Sequence, residues 1–68
     1  MPIKNRLKQI RHEMMIDTQV EMAKLLDLRQ EKYNRYERQE IQPSLEYALR
    51  IANKLNRPVE DIFYIVDM

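Results

Sequence analysis

The chain has 68 residues, of which 44% are hydrophobic and 34% charged, with a net charge of +1 and neither cysteine nor glycine. That length sets one domain with a small core, the lack of cysteine excludes disulfides and thiolate metal sites, and the lone His12 cannot build a metal site. With charges so nearly balanced, any nucleic-acid partner must be argued from where the charges sit, not from their sum.

No apolar run approaches the roughly 18 residues of a membrane span. The segment from Met1 to Met14 is amphipathic and charge-rich, unlike a secretory leader. The helical period then dominates, and residues 1–68 are expected to form a single all-α, five-helix domain. Ile3, Leu7, Ile10 and Met14 predict the apolar stripe of a first helix, with Lys4, Arg6, Lys8 and Arg11 beside it. Thr18 and Glu21 form a capping-box pattern, with the hydroxyl accepting from the Glu21 amide and the carboxylate reaching back. The second helix runs from there to about Leu26, with Met22, Ala23 and Leu26 inward. Asp27-Leu28-Arg29 is a tight turn in which Leu28 plugs the corner.

A third helix is expected over about Gln30 to Arg38, with Tyr33 and Tyr36 on its inward face as core; the Tyr36 hydroxyl is left open as a surface contact. A loop from Gln39 to Pro43 leads to Ser44, an N-cap candidate. The fourth helix carries Leu45, Ala48, Leu49, Ala52 and Leu55 at helical spacing. Asn56-Arg57 breaks it, and Pro58 starts a fifth helix whose first turn holds Glu60 and Asp61, favoured by the helix dipole. Without glycine, the turns are expected to fall to Asn, Asp, Gln or Pro. The five methionines read as core filler and the start residue, and His12 as a surface residue.

The ordered set Leu7-Lys8-Gln9-Ile10-Arg11, Thr18-Gln19, Glu21-Met22-Ala23, Leu25-Leu26, Tyr33, Arg35, Glu37, Pro43-Ser44-Leu45, Ile51-Ala52, Leu55 and Glu60-Asp61-Ile62-Phe63 resembles the Cro/lambda-repressor-like, or XRE, helix-turn-helix family. The likeness covers about Ile3 to Phe63 and is strongest to the minimal single-domain members. It implies a compact lambda-repressor-like fold with the helix-turn-helix at about residues 18–38. Three departures stand out. One extra residue, most simply Asp17, lies between Arg11 and Gln19; Arg29 stands where a small N-cap residue is usual; Gln39 stands where glycine usually follows the third helix. An absent cap costs about 1 kcal/mol, and a Gln39 forced to positive φ carries a steric cost.

The resemblance implies double-stranded DNA as partner, with the third helix in the major groove. Carried over, the base-reading positions are Gln30, Glu31, Lys32 and Arg35, with Asn34 at the groove's edge. Gln30 suits adenine, Arg35 suits guanine O6 and N7, Glu31 accepts from cytosine N4, and Lys32 reaches guanine or a phosphate. Glu31 also lies four residues before Arg35, where the two can pair along the helix. Phosphate positions are Thr18, Gln19 and Arg38, with Arg29 a candidate; the first turn of the second helix already favours an anion. Arg11 and Glu37 match a structural inter-helix salt bridge of the family.

The C-terminal segment of about residues 59–68 ends in the run Ile62-Phe63-Tyr64-Ile65-Val66, too apolar for the inner face of one short helix. Exposed apolar surface marks interaction sites. Ile62, Tyr64, Ile65 and Val66 are therefore expected at a two-fold homodimer interface, with tail strands paired across the axis; the alternative is a tail folded back on its own core. The reading that follows is a cytoplasmic, bacterial or phage-encoded homodimeric transcriptional regulator, a repressor at an inverted repeat. No cofactor, metal or small-molecule effector is implied. The competing reading is an antitoxin-like module that binds a protein partner, with DNA binding secondary. An enzyme is not supported: there is no nucleophile–base set and no glycine-rich phosphate loop.

Overall fold

The computed structural model describes residues 3–66. In chain order the elements are β1 (Ile3–Asn5), α1 (Leu7–Glu13), α2 (Gln19–Leu25), α3 (Gln30–Glu37), α4 (Leu45–Leu55), α5 (Val59–Ile62) and β2 (Phe63–Ile65). Leu7, Ile10, Met22, Ala23, Leu26, Tyr33, Tyr36, Ile51, Ala52 and Ile62 form one apolar core, against which Leu28, Leu55, Val59 and Phe63 pack. No helix of the described residues is long and apolar enough to cross a membrane.

Ile3 does not extend the first helical stripe. It lies in β1, which pairs antiparallel with β2 in the register Ile3↔Ile65, Lys4↔Tyr64 and Asn5↔Phe63. Asn5 makes the break: its Oδ1 accepts from the Leu7 amide at 3.1 Å, a local turn that starts α1 only at Leu7. The tail is thus a strand of the chain's own sheet. Ile62, expected at a dimer surface, is instead fully buried in the core. Tyr64 and Ile65 remain exposed and Val66 is half-buried.

The inward face of α4 is rotated from the expected one. Ile51 joins Ala48 and Ala52 in burial, while Leu45 is 74% and Leu49 48% exposed. Two apolar stripes overlap on this helix, and only the one holding Ile51 meets the core. Ser44 caps it, accepting from the Tyr47 amide at 3.3 Å. At its other end Asn56 is left-handed and the Arg57 amide returns to the Ala52 carbonyl at 3.1 Å, releasing the chain into Pro58.

Among the described residues the left-handed positions are Met15, Asp27, Gln39 and Asn56, at φ between 56° and 64°. Three are the residue types expected for turns without glycine. Met15 is not; its side chain is 86% exposed, and its own Cβ bears the steric cost of the left-handed backbone. Met14 is also exposed, so of the described methionines only Met22 fills the core; Met1 and Met68 lie outside the described residues.

Candidate nucleic-acid interface

α2 and α3 meet through a turn with little freedom. Leu26 closes α2, Asp27 takes φ 59°, and the Leu28 amide returns to the Ala23 carbonyl at 2.8 Å. Leu28 packs on the core beneath the corner. Thr18 caps α2, its Oγ1 accepting from the Glu21 amide at 3.2 Å, and its own hydroxyl proton stays free to donate outward. Arg29 precedes α3 with extended backbone and no side-chain cap.

The inward face of α3 is tied down by one carboxylate. Glu37 accepts from Arg11 Nε at 2.8 Å and Arg11 Nη2 at 3.4 Å, from Gln19 Nε2 at 3.0 Å, and from the Tyr33 hydroxyl. The ion pair is nearly dry, with side-chain exposures of 8% for Arg11 and 2% for Glu37. Arg11 Nη1 also donates to the carbonyls of Ile16 and Asp17, at 3.1 and 3.2 Å. The loop before α2 is therefore held by the same guanidinium.

Burial alone would raise the Glu37 carboxyl. The hydrogen bonds from Arg11, Tyr33 and Gln19, with the charge of Arg11, outweigh it and hold the group below its ordinary value. The bond to Glu37 outweighs desolvation at Arg11 and raises that group. Burial first, then the bond to Glu37, pushes the Tyr33 hydroxyl up.

The opposite face of α3 is open. At about 100° per residue, Glu31, Arg35 and Arg38 point directly away from the core, with Lys32 and Asn34 flanking them. Gln30, Glu31, Lys32, Arg35 and Arg38 are exposed. Arg29, Glu31, Lys32 and Arg35 line one shallow depression of about 230 Å³ together with Ile41. Asn34 differs from the rest of the expected reading set: it is half-buried, and its Oδ1 is enclosed without a hydrogen-bond partner. Of the expected phosphate positions, Thr18 and Arg29 are exposed and Gln19 is half-buried. One N–H of the Gln19 amide is committed to Glu37, and the other is left to donate.

Two side chains beside this face carried no role in the sequence reading. Tyr47, in the first turn of α4, stands half-exposed with Lys32 Nζ 5.9 Å and the Arg50 guanidinium 5.8 Å from its ring centre. Glu40 lies between two arginines, its Oε1 3.3 Å from Arg35 Nε and its Oε2 3.2 Å from Arg38 Nε. Arg50 is a helical i,i+3 neighbour of Tyr47, but the approach of Lys32 is non-local. Glu40 is five residues from Arg35 and follows the helix end, so only the fold of that turn brings it there.

The Asn5–Gln39 junction was also missed. Gln39 Nε2 donates to the Asn5 carbonyl and Gln39 Oε1 accepts from the Asn5 amide, both at 3.0 Å. Asn5 Nδ2 donates to the Tyr36 carbonyl at 2.9 Å. The C-terminal end of α3 is thereby bonded to β1, and a glutamine at φ 64° contributes side-chain bonds that glycine could not.

Residues 7–62 match the family model described as helix-turn-helix. No curated protein matches the chain.

Proposed function

The chain belongs to the lambda-repressor-like (XRE) helix-turn-helix family, whose members are DNA-binding regulators, and from that premise we propose a homodimeric repressor that reads an inverted-repeat operator through α3. The observation that carries the reading is the division of α3 into a locked inner face and an open outer one. A reading helix needs side chains free to reach base edges from a backbone that does not move.

In this reading Gln30, Glu31, Lys32 and Arg35 meet bases, with Asn34 at the edge. Arg35 faces straight out and suits guanine; Gln30, at the N-terminal end of α3, suits adenine. Thr18, Gln19, Arg29 and Arg38 contact phosphates, which position the domain and supply most of the affinity. Thr18 and Gln19 add to the free amides at the start of α2.

The second copy docks on the apolar surface of the sheet and α4. Ile65 is 63% exposed and pairs with Ile3, and Ile3 shares with Leu45 a groove of about 240 Å³ floored by Ala48 and Phe63. Leu49 continues the stripe one turn along α4. Ile65 and Val66 stay in the interface, joined by Leu45 and Leu49, whereas Tyr64 points to the opposite face of β2, under the Arg6 guanidinium at 4.3 Å. A two-fold dimer places two copies of α3 on one side, with half-sites about one helical turn, roughly 34 Å, apart.

Selection of bound duplexes from a random library, at one stated salt concentration, tests the function. Enrichment of a palindrome with that spacing is the expected result. Weak, salt-sensitive binding with no enriched sequence would overturn it. Ile65→Lys tests the interface: the protein should sediment as a monomer, and a dimer that survives would contradict this surface.

A further inference from the structure

We infer that Glu40 is a positioning residue that sets DNA specificity, holding Arg35 and Arg38 from the protein side so that matched DNA gains more than random DNA. The inference rests on the reading of α3 as the base-contacting helix. One carboxylate takes both arginines, Oε1 on Arg35 Nε at 3.3 Å and Oε2 on Arg38 Nε at 3.2 Å. Each contact uses Nε and leaves the two terminal Nη groups free. Guanine presents O6 and N7 to two parallel donors, so Arg35 can engage a guanine while its Nε stays on Glu40.

Glu40 is held for this task. Its amide donates to the Arg35 carbonyl at 3.0 Å, which closes the turn over the last residues of α3. The residue before it, Gln39, is pinned to both backbone groups of Asn5. The carboxylate thus leaves a fixed turn, not a free loop.

Random DNA meets a different balance. It offers the two arginines only phosphates, and Glu40 both neutralises part of their charge and repels the backbone. The free Nη groups of Arg35 and Arg38 can still reach phosphates, but the Glu40 carboxylate opposes each anionic partner, whereas the guanine edge is neutral. Matched DNA lets Arg35 keep both partners. A charge that opposes the wrong partner more than the right one raises discrimination while lowering overall affinity. The pairs are half-exposed and individually weak, so their removal leaves the fold intact.

The test is Glu40→Gln, measured by fluorescence anisotropy at fixed salt on the duplex selected by the wild-type protein and on a random duplex. Random binding should tighten by about 3- to 10-fold and the specific-to-random ratio should fall by about 3-fold or more. The slope of log K against log salt on random DNA should steepen. In an Arg35→Ala background, adding Glu40→Gln should leave the ratio where Arg35→Ala alone put it. An unchanged or higher ratio, or equal weakening on both duplexes, would overturn the inference while leaving the operator-binding reading intact. A wild-type protein that enriches no sequence removes both.

Discussion

The two faces of α3 use similar residues to opposite ends. Inward, Arg11 and Glu37 are sealed together and joined by Tyr33 and Gln19. Outward, Arg35, Arg38 and Glu40 make the same kind of pair in water, at exposures of 45% to 62%. A dry pair fixes geometry, because breaking it strands a charge. A wet pair costs little to open, so its arginines stay available to a ligand. The contrast teaches that here burial, not residue type, separates the scaffold from the instrument.

Substitution of one partner in each pair should break that comparison cleanly. Glu37→Ala leaves the Arg11 guanidinium buried without its carboxylate, and should cost about 3–5 kcal/mol, enough to unfold much of a small domain. Chemical denaturation reads this, and a loss below about 1 kcal/mol would mean that the pair is not the clamp described. Arg35→Ala should leave stability unchanged and cost about 1–3 kcal/mol of binding, with relaxed preference at one base position. Arg38→Ala should weaken all sequences alike and lower the salt slope by about 0.9. Equal losses on specific and random duplexes for both arginines would contradict the assignment of roles.

The inner face also predicts a response to acid. The Glu37 carboxyl is held below its ordinary value of 4.5, so its contribution to stability is complete above that pH. It is lost as pH falls through the lower, folded value, where the folded state takes up its proton. Unfolding midpoints measured from pH 6 down to pH 2 should fall more steeply for wild type than for Glu37→Gln. Parallel curves would place the acid sensitivity elsewhere.

Much of this was legible in the letters. Thr18, Ser44 and Pro58 mark helix starts through local chemistry, and Met22, Ala23, Leu26, Tyr33 and Tyr36 follow the helical period to burial. What failed was non-local. Ile3 fits the period of α1, but whether it pairs as a strand depends on residue 65, far along the chain. Leu45 and Leu49 fit α4 as well as Ile51 does, and only the neighbours present decide which stripe is covered. The same limit hid Glu40 and the Asn5–Gln39 junction, where a chain reversal, not a repeat, sets the contact. On α3 the period separated core from surface but gave no sign that Asn34 would be half-enclosed.

Met15 supplies the smallest effect and an internal standard for the comparison. It sits at φ 60° in the loop between α1 and α2, with its side chain almost wholly in solvent. Its left-handed backbone costs roughly 1 kcal/mol relative to a residue without Cβ. Glycine removes that cost but also enlarges the unfolded ensemble, so the two terms partly cancel. Met15→Gly should therefore gain about 0.5 kcal/mol or less. Its side chain is 86% exposed and lies off α3, so DNA affinity and the specific-to-random ratio should not move. If binding shifts with so small a change in stability, the outer face is not the independent surface that its exposure implies, and the effects of Arg35→Ala and Arg38→Ala would have to be corrected for folding before being read as contacts.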